Sequence, residues 1–140
     1  MRVLFVCTGN TCRSPMAEAI CSILAKRRLV KVDTDSAGLF AAAGSPMSFY
    51  ASEAIKRLYG QEVYHSSKML SPELVRKSDL IVAMTDAHLA AIRQCFPEAH
   101  AISMPCDISD PFGGDLDDYI SCAEKLEEGI GILFDRGDIS

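Results

Sequence analysis

The 140-residue sequence contains no Trp, only three His, and no apolar run approaching the roughly 18 residues that a membrane-spanning helix needs. It has no C-x-x-C pair and no clustered His, so a zinc site or other metal centre is not expected. Neither G-x-x-x-x-G-K nor G-x-G-x-x-G occurs, which excludes the common nucleotide-binding loops. Positive charge is in the minority, with 14 Lys and Arg against 19 Asp and Glu and a net charge of −5. The densest basic run, Lys26-Arg27-Arg28, falls at the expected end of a helix, where the macrodipole favours it. Nucleic acid and anionic membranes are therefore not expected partners. The apolar run near the start, Val3 to Cys7, is shorter than the hydrophobic region of a signal peptide, so a reduced, cytoplasmic protein is expected.

What is present is ordinary for a globular chain: 49% hydrophobic, 24% charged and 7% aromatic residues. The length suits a single domain over residues 1–140, large enough to bury a core without covalent staples. Six cysteines are then thiols used for packing or for chemistry, because a disulfide scaffold is a device of smaller secreted domains.

Strand and helix signals alternate along the chain. Arg2 to Cys7 is apolar and β-branched, as expected of a strand buried on both faces. After a polar turn, Ser14-Pro15 offers a helix cap followed by a proline at the first helical position, and Met16, Ile20, Ile23 and Leu24 form one stripe ending near Leu29. Val32 to Ala37 predicts a second strand stopped by Gly38. Ser48 opens a helix whose stripe is Ala51, Ala54, Ile55 and Leu58, with Gly60 as its stop. A short helix from Ser71-Pro72 to about Lys77 precedes a buried strand at Asp79 to Met84. A helix follows from about Asp86 to Phe96, then a weaker strand from His100 to Met104 and a loop from Pro105 to Gly114. The last helix runs from about Asp115 to Arg136, with Leu116, Tyr119, Ile120, Ala123, Ile130, Leu133 and Phe134 on one face. The pattern predicts a three-layer α/β/α domain with a four-stranded parallel sheet and a ligand site beyond the carboxyl ends of the strands.

The turn after the first strand, Cys7-Thr8-Gly9-Asn10-Thr11-Cys12-Arg13-Ser14, carries the chemistry. It leads into a helix N-terminus, where free backbone N–H groups and the dipole favour an anion. Gly9 and Asn10 are the residues best able to take the positive φ that a tight anion-cradling turn needs. The same field favours the thiolate form of a cysteine held in it. Arg13 adds a planar fork matched to two oxygens of a tetrahedral oxyanion. Together these residues describe a nucleophilic phosphate site.

The segment Val-Cys-Thr-Gly-Asn-Thr-Cys-Arg-Ser-Pro-Met-Ala-Glu, with Ser36-Ala37-Gly38, His65 and Asp110-Pro111, resembles the low-molecular-weight protein tyrosine phosphatase family over the whole chain. The resemblance implies that Cys7 attacks phosphorus to form a phosphocysteine, with Arg13 and the loop residues Thr8, Gly9, Asn10, Thr11 and Cys12 holding the phosphoryl oxygens. It implies that Ser14 donates a hydrogen bond to the Cys7 thiolate and that Asp110 serves as acid and then base. Asn10, Ser36 and His65 would form a polar support for the loop. No cofactor is implied, and the partner would be a phosphorylated protein met by a monomer.

Members that act on phosphotyrosine usually carry Ile where this chain has Thr11, and two aromatics after Asp-Pro where this chain has Phe112-Gly113-Gly114. Both departures resemble the protein-arginine-phosphatase branch. A guanidinium leaving group is polar and planar and gains from a hydroxyl in the pocket wall, and a placed polar group discriminates better than apolar fit. Phosphoarginine in proteins is therefore the expected substrate, with phosphotyrosine as the alternative. Asp107, Asp110 and Asp115 would either favour a cationic guanidinium or stand as solvated loop charge.

Two other classes fit less well. Thioredoxin-coupled arsenate reductases have a similar loop but need two further redox cysteines just after the third strand, and in that stretch this chain has only Cys95. A non-catalytic phosphate-binding module leaves the joint presence of Cys7, Arg13, Ser14 and Asp110 unexplained. By the same resemblance Cys12 would form a reversible disulfide with Cys7, or it simply fills space behind the loop. Cys21, Cys95, Cys106 and Cys122 are expected as packing thiols. Phe112 is expected at the mouth of the site, Phe40 either there or over the core, and Tyr119 in the core. His88 and His100 carry no signal.

Overall fold

The computed structural model describes residues 1–140. Its elements are β1 (Arg2–Cys7), α1 (Arg13–Arg27), β2 (Asp33–Gly38), α2 (Phe49–Tyr59), α3 (Pro72–Lys77), β3 (Leu80–Ala83), α4 (Asp86–Cys95), β4 (Ala101–Ser103) and α5 (Leu116–Asp135). All four strands are parallel, in the order β2-β1-β3-β4. Alternation along β1 explains the layers. Val3, Phe5 and Cys7 belong to a large core shared with α1, α2 and α5, whereas Leu4 and Val6 belong to a smaller one that includes Ile92 of α4 and is flanked by Leu74 and Val75 of α3. The expected α/β/α architecture is the one observed.

Strand order reverses direction at β1, which has β2 on one side and β3 on the other. In such sheets this is where a crevice opens beyond the carboxyl ends. The turn after Cys7 leaves the sheet there, and β2 ends beside it because Cys7 lies in register with Gly38. A side chain at Gly38 would place its Cβ 2.5 Å from the Thr8 carbonyl oxygen and 3.0 Å from the Asn10 nitrogen. The absence of a Cβ lets the strand end pack directly on the loop.

Two caps differ from expectation. α1 begins at Arg13, so Ser14 is inside the helix rather than its cap, and no side chain caps that end. Ser48 does precede α2, but its hydroxyl donates to Tyr119 Oη at 3.4 Å instead of capping. In both cases a longer-range partner takes the hydroxyl. Asp115 behaves as expected, forming a reciprocal capping box with Asp118 at the start of α5. Gly60 ends α2 in the left-handed region at φ 68°.

Candidate active site

The buried strand β1 fixes Cys7, and the start of α1 fixes Arg13 and Ser14. Between them the chain turns tightly enough to need a positive φ, which Asn10 supplies at 57°. Of the two residues expected to be best able to take it, Asn10 does so and Gly9 does not. The Cys7 Sγ lies 2.9 Å from Ser14 Oγ. Asn10 Nδ2 donates to Ser14 Oγ at 2.9 Å and to Ser36 Oγ at 3.0 Å, and Ser36 in turn donates to Glu18 Oε1 at 2.6 Å. Lys68 N–H donates to Asn10 Oδ1 at 3.0 Å, which fixes the orientation of the amide. Since Asn10 donates to Ser14, the hydroxyl hydrogen of Ser14 is left for the Cys7 sulfur at 2.9 Å or the more distant Ala37 carbonyl at 3.5 Å, and the sulfur is the nearer acceptor.

The Asn10 carbonyl is held from outside by His65 Nε2 at 2.8 Å and by the Ser67 hydroxyl at 2.7 Å. The structure thus brings Asn10, Ser36 and His65 together and adds Ser67, Lys68 and Glu18. Burial raises the Glu18 carboxyl above its ordinary range, opposed by the hydrogen bond from Ser36. Glu18 belongs to the segment singled out in the sequence, but only the fold shows that its carboxylate ends the chain of hydrogen bonds running back to Cys7.

Arg13 is buried, and its Nη1 donates to the Ile108 carbonyl at 3.1 Å. Its Nη2 lies 3.6 Å from Asp110 Oδ2, on a carboxylate that is half exposed. One guanidinium therefore ties the loop after β1 to the loop before α5 and sets Asp110 across the mouth from Cys7. Cys7, Thr8, Gly9, Thr11, Cys12, Arg13, Asp110 and Phe112 line a cleft of about 260 Å³. A second hollow of about 460 Å³ continues from it along residues 108–114 and α5, sharing Asp110 and Phe112.

Several expectations need correction. Phe40 is 81% exposed and covers no core, although its N–H donates to the Thr8 carbonyl at 2.9 Å. Tyr119 is buried as expected, yet its hydroxyl reaches to 3.6 Å from Cys12 Sγ, so it supports the loop as well as the core. Asp115 spends its carboxylate on the α5 cap, and Asp107 Oδ1 accepts from the Asp86 N–H at 3.0 Å. Of the three loop carboxylates only Asp110 lines the cleft. Cys95 and Cys106 are exposed rather than packed, while Cys21 and Cys122 are buried.

His88 is the residue that sequence reasoning missed. It lies in the first turn of α4, buried beneath the loop, with Nε2 2.9 Å from Thr8 Oγ1 and Nδ1 2.9 Å from Thr85 Oγ1. Burial and then the Arg13 charge push its pKa down, against Asp107 and Asp110, which raise it. Thr85 at the helix cap was a legible signal, but its neighbour across the sheet was not.

A cysteine, an arginine fork and a carboxyl group facing one cleft form a set suited to nucleophilic displacement at phosphorus. The family model for low molecular weight phosphotyrosine protein phosphatase matches residues 2–137. A protein-arginine-phosphatase of Geobacillus stearothermophilus is 40% identical over 144 aligned positions, which cover 96% of this chain and 95% of the relative. A low molecular weight protein-tyrosine-phosphatase, PtpB of Staphylococcus haemolyticus, is 38% identical, covering 95% of this chain and 97% of the relative. Among solved structures, a YwlE mutant from Bacillus subtilis superposes with a TM-score of 0.93 at 35% identity, covering 99% of both chains. A YwlE arginine phosphatase mutant with a phosphorylated active-site serine gives a TM-score of 0.92, also at 35% identity, covering 97% of this chain and 95% of that one.

Proposed function

The chain belongs to the low molecular weight phosphotyrosine protein phosphatase family, and on that premise we propose that it removes phosphate from phosphoarginine in proteins. The observation that carries the reading is the convergence of Cys7, Arg13 and Asp110 on one cleft with Thr11 in its wall. Cys7 Sγ attacks phosphorus while the bond from phosphorus to the guanidinium nitrogen breaks, and Asp110 gives that nitrogen its proton. The Arg13 fork and the loop N–H groups hold the equatorial oxygens as charge spreads over them. Water then attacks the phosphocysteine, Asp110 takes up its proton, and phosphate leaves as the thiolate is restored. The Ser14 hydroxyl, 2.9 Å from Sγ, makes sulfur a better leaving group in this second step.

Thr11 favours the guanidinium over a phenol. Its hydroxyl stands in the wall at 3.7 Å from Cys12 Sγ, too long for a strong bond, so it has hydrogen-bonding capacity to spare for a substrate N–H. Relatives named as arginine phosphatases match at 40% and 37% identity. The hollow beside Phe112 gives room for the polypeptide that carries the phosphorylated side chain. All of these parts come from one chain, which acts as a single domain and as a monomer. Its six unpaired thiols suit the cytoplasm.

The test compares kcat/KM on phosphoarginine and phosphotyrosine peptides of matched sequence. Wild type should prefer phosphoarginine, Thr11→Ile should shift the ratio towards phosphotyrosine by about tenfold or more, and Cys7→Ser should abolish both. Faster phosphotyrosine hydrolysis with no response to Thr11→Ile would overturn the arginine reading and leave the tyrosine alternative.

A further inference from the structure

His88 is within hydrogen-bond reach of the phosphate loop but has no part in the displacement itself. Its backbone N–H donates to Thr85 Oγ1 at 3.2 Å, and its ring Nδ1 lies 2.9 Å from the same oxygen. With one lone pair of Thr85 so occupied, a neutral ring fits best by accepting the Thr85 hydroxyl hydrogen at Nδ1, which leaves the ring proton on Nε2. Nε2–H then donates to Thr8 Oγ1 at 2.9 Å. The hydroxyl hydrogen of Thr8 is thereby released from the ring and free to serve the cleft that Thr8 lines. In the other tautomer Thr8 would spend that hydrogen on Nε2 and turn only lone pairs to an anion.

We infer that His88 is a positioning residue that, acting through Thr8, presents a hydroxyl donor to the phosphoryl group in the cleft. This rests on the reading of the cleft as a phosphoryl site. The charged groups facing the ring are Arg13 from the start of α1 and Asp107 and Asp110 from the loop before α5. Burial together with Arg13 favours the neutral ring. Protonation at lower pH keeps the Nε2–H donor and adds a positive charge beside the anion, so binding of a dianion tightens as pH falls.

The probe is inorganic sulfate, a tetrahedral dianion whose charge does not change over the working range. Its affinity for the full chain is measured by calorimetry, with p-nitrophenyl phosphate turnover followed in parallel. His88→Leu should weaken sulfate about fivefold in the native background, as expected for one lost hydrogen bond. In a Thr8→Val background the same change should cost less than about twofold. His88→Gln keeps a side-chain donor and should stay within about twofold of wild type near pH 8. Equal losses in both Thr8 backgrounds overturn the inference. If His88→Leu does not fold, His88→Gln decides alone: a loss of sulfate affinity of about fivefold or more near pH 8, with an amide donor in place of Nε2–H, overturns the inference. Absent turnover with intact His88–Thr8 coupling would count against the phosphatase reading and not against the role of His88.

Discussion

Asn10 concentrates more of the site's order than any other single residue. It occupies a left-handed conformation, at φ 57°, that costs most L-residues about 1–2 kcal/mol. Its amide also bonds Ser14, Ser36 and the Lys68 N–H, while its carbonyl accepts from His65 and Ser67. Asn10→Ala removes the amide partners of buried hydroxyls and keeps the strained φ. Asn10→Gly removes the same partners and relieves the strain. Unfolding by urea should show Asn10→Ala less stable than wild type by about 2–4 kcal/mol, with Asn10→Gly recovering about 1 kcal/mol of that. Both should lose kcat by about tenfold or more, because Ser14 is no longer oriented towards the sulfur. Equal stability of the two variants would show that the backbone conformation carries no strain. Full activity in Asn10→Gly would show that the amide is not needed to orient Ser14.

At the scale of elements, the site is held by strand ends and helix starts that come from different parts of the chain. β2 ends on the loop without a Cβ, so Gly38→Ala meets the Thr8 carbonyl and the Asn10 nitrogen, both backbone atoms that cannot rotate away. Overpacking of this kind costs about 1–3 kcal/mol, and here it displaces the phosphate loop as well. Thermal unfolding and kcat/KM should both fall, whereas an alanine at Gly137, which meets no atom within 4 Å, should change stability only through its positive φ and leave kcat/KM alone. The β1–loop–α1 unit was legible because its signals are local: a doubly buried strand, a polar turn, then a helix start. Asp110 was legible only through the resemblance, since its distance from Arg13 is set by the sheet and not by spacing. His88 was not legible at all. α4 is visible as a helix, but that its first turn lies under Thr8 follows from β3 pairing with β1, which no local pattern encodes. The hydroxyls of Ser14 and Ser48 show the same limit: each occupies a position at or near a helix start that suits a cap, and each is drawn off by a partner far away in sequence or in the loop.

For the whole molecule, the placement of five of its six thiols, Cys7, Cys21, Cys95, Cys106 and Cys122, predicts a graded chemical reactivity. Cys21 and Cys122 sit on helix faces against the large core, and burial pushes each of their pKa values up to about 12. Near pH 8 that leaves about one thiolate in 10⁴ at either site, in addition to the steric shielding. Cys95 and Cys106 are exposed, one at the end of α4 and the other in the loop after β4, and neither has a buried partner. Cys7 is buried from bulk solvent, but it lines the cleft, where a small reagent can reach it and an anion can stand in its way. Timed alkylation with iodoacetamide, read by peptide mass spectrometry, should therefore label Cys7, Cys95 and Cys106 in the native protein well before Cys21 and Cys122. Sulfate should protect Cys7 and leave Cys95 and Cys106 unchanged. In strong denaturant the rates should converge, because the differences come from the fold and not from local sequence. Cys122 also lines the hollow beside Asp110 and Phe112, so its labelling at the rate of Cys106 under native conditions would mean that the hollow admits the reagent to its thiol.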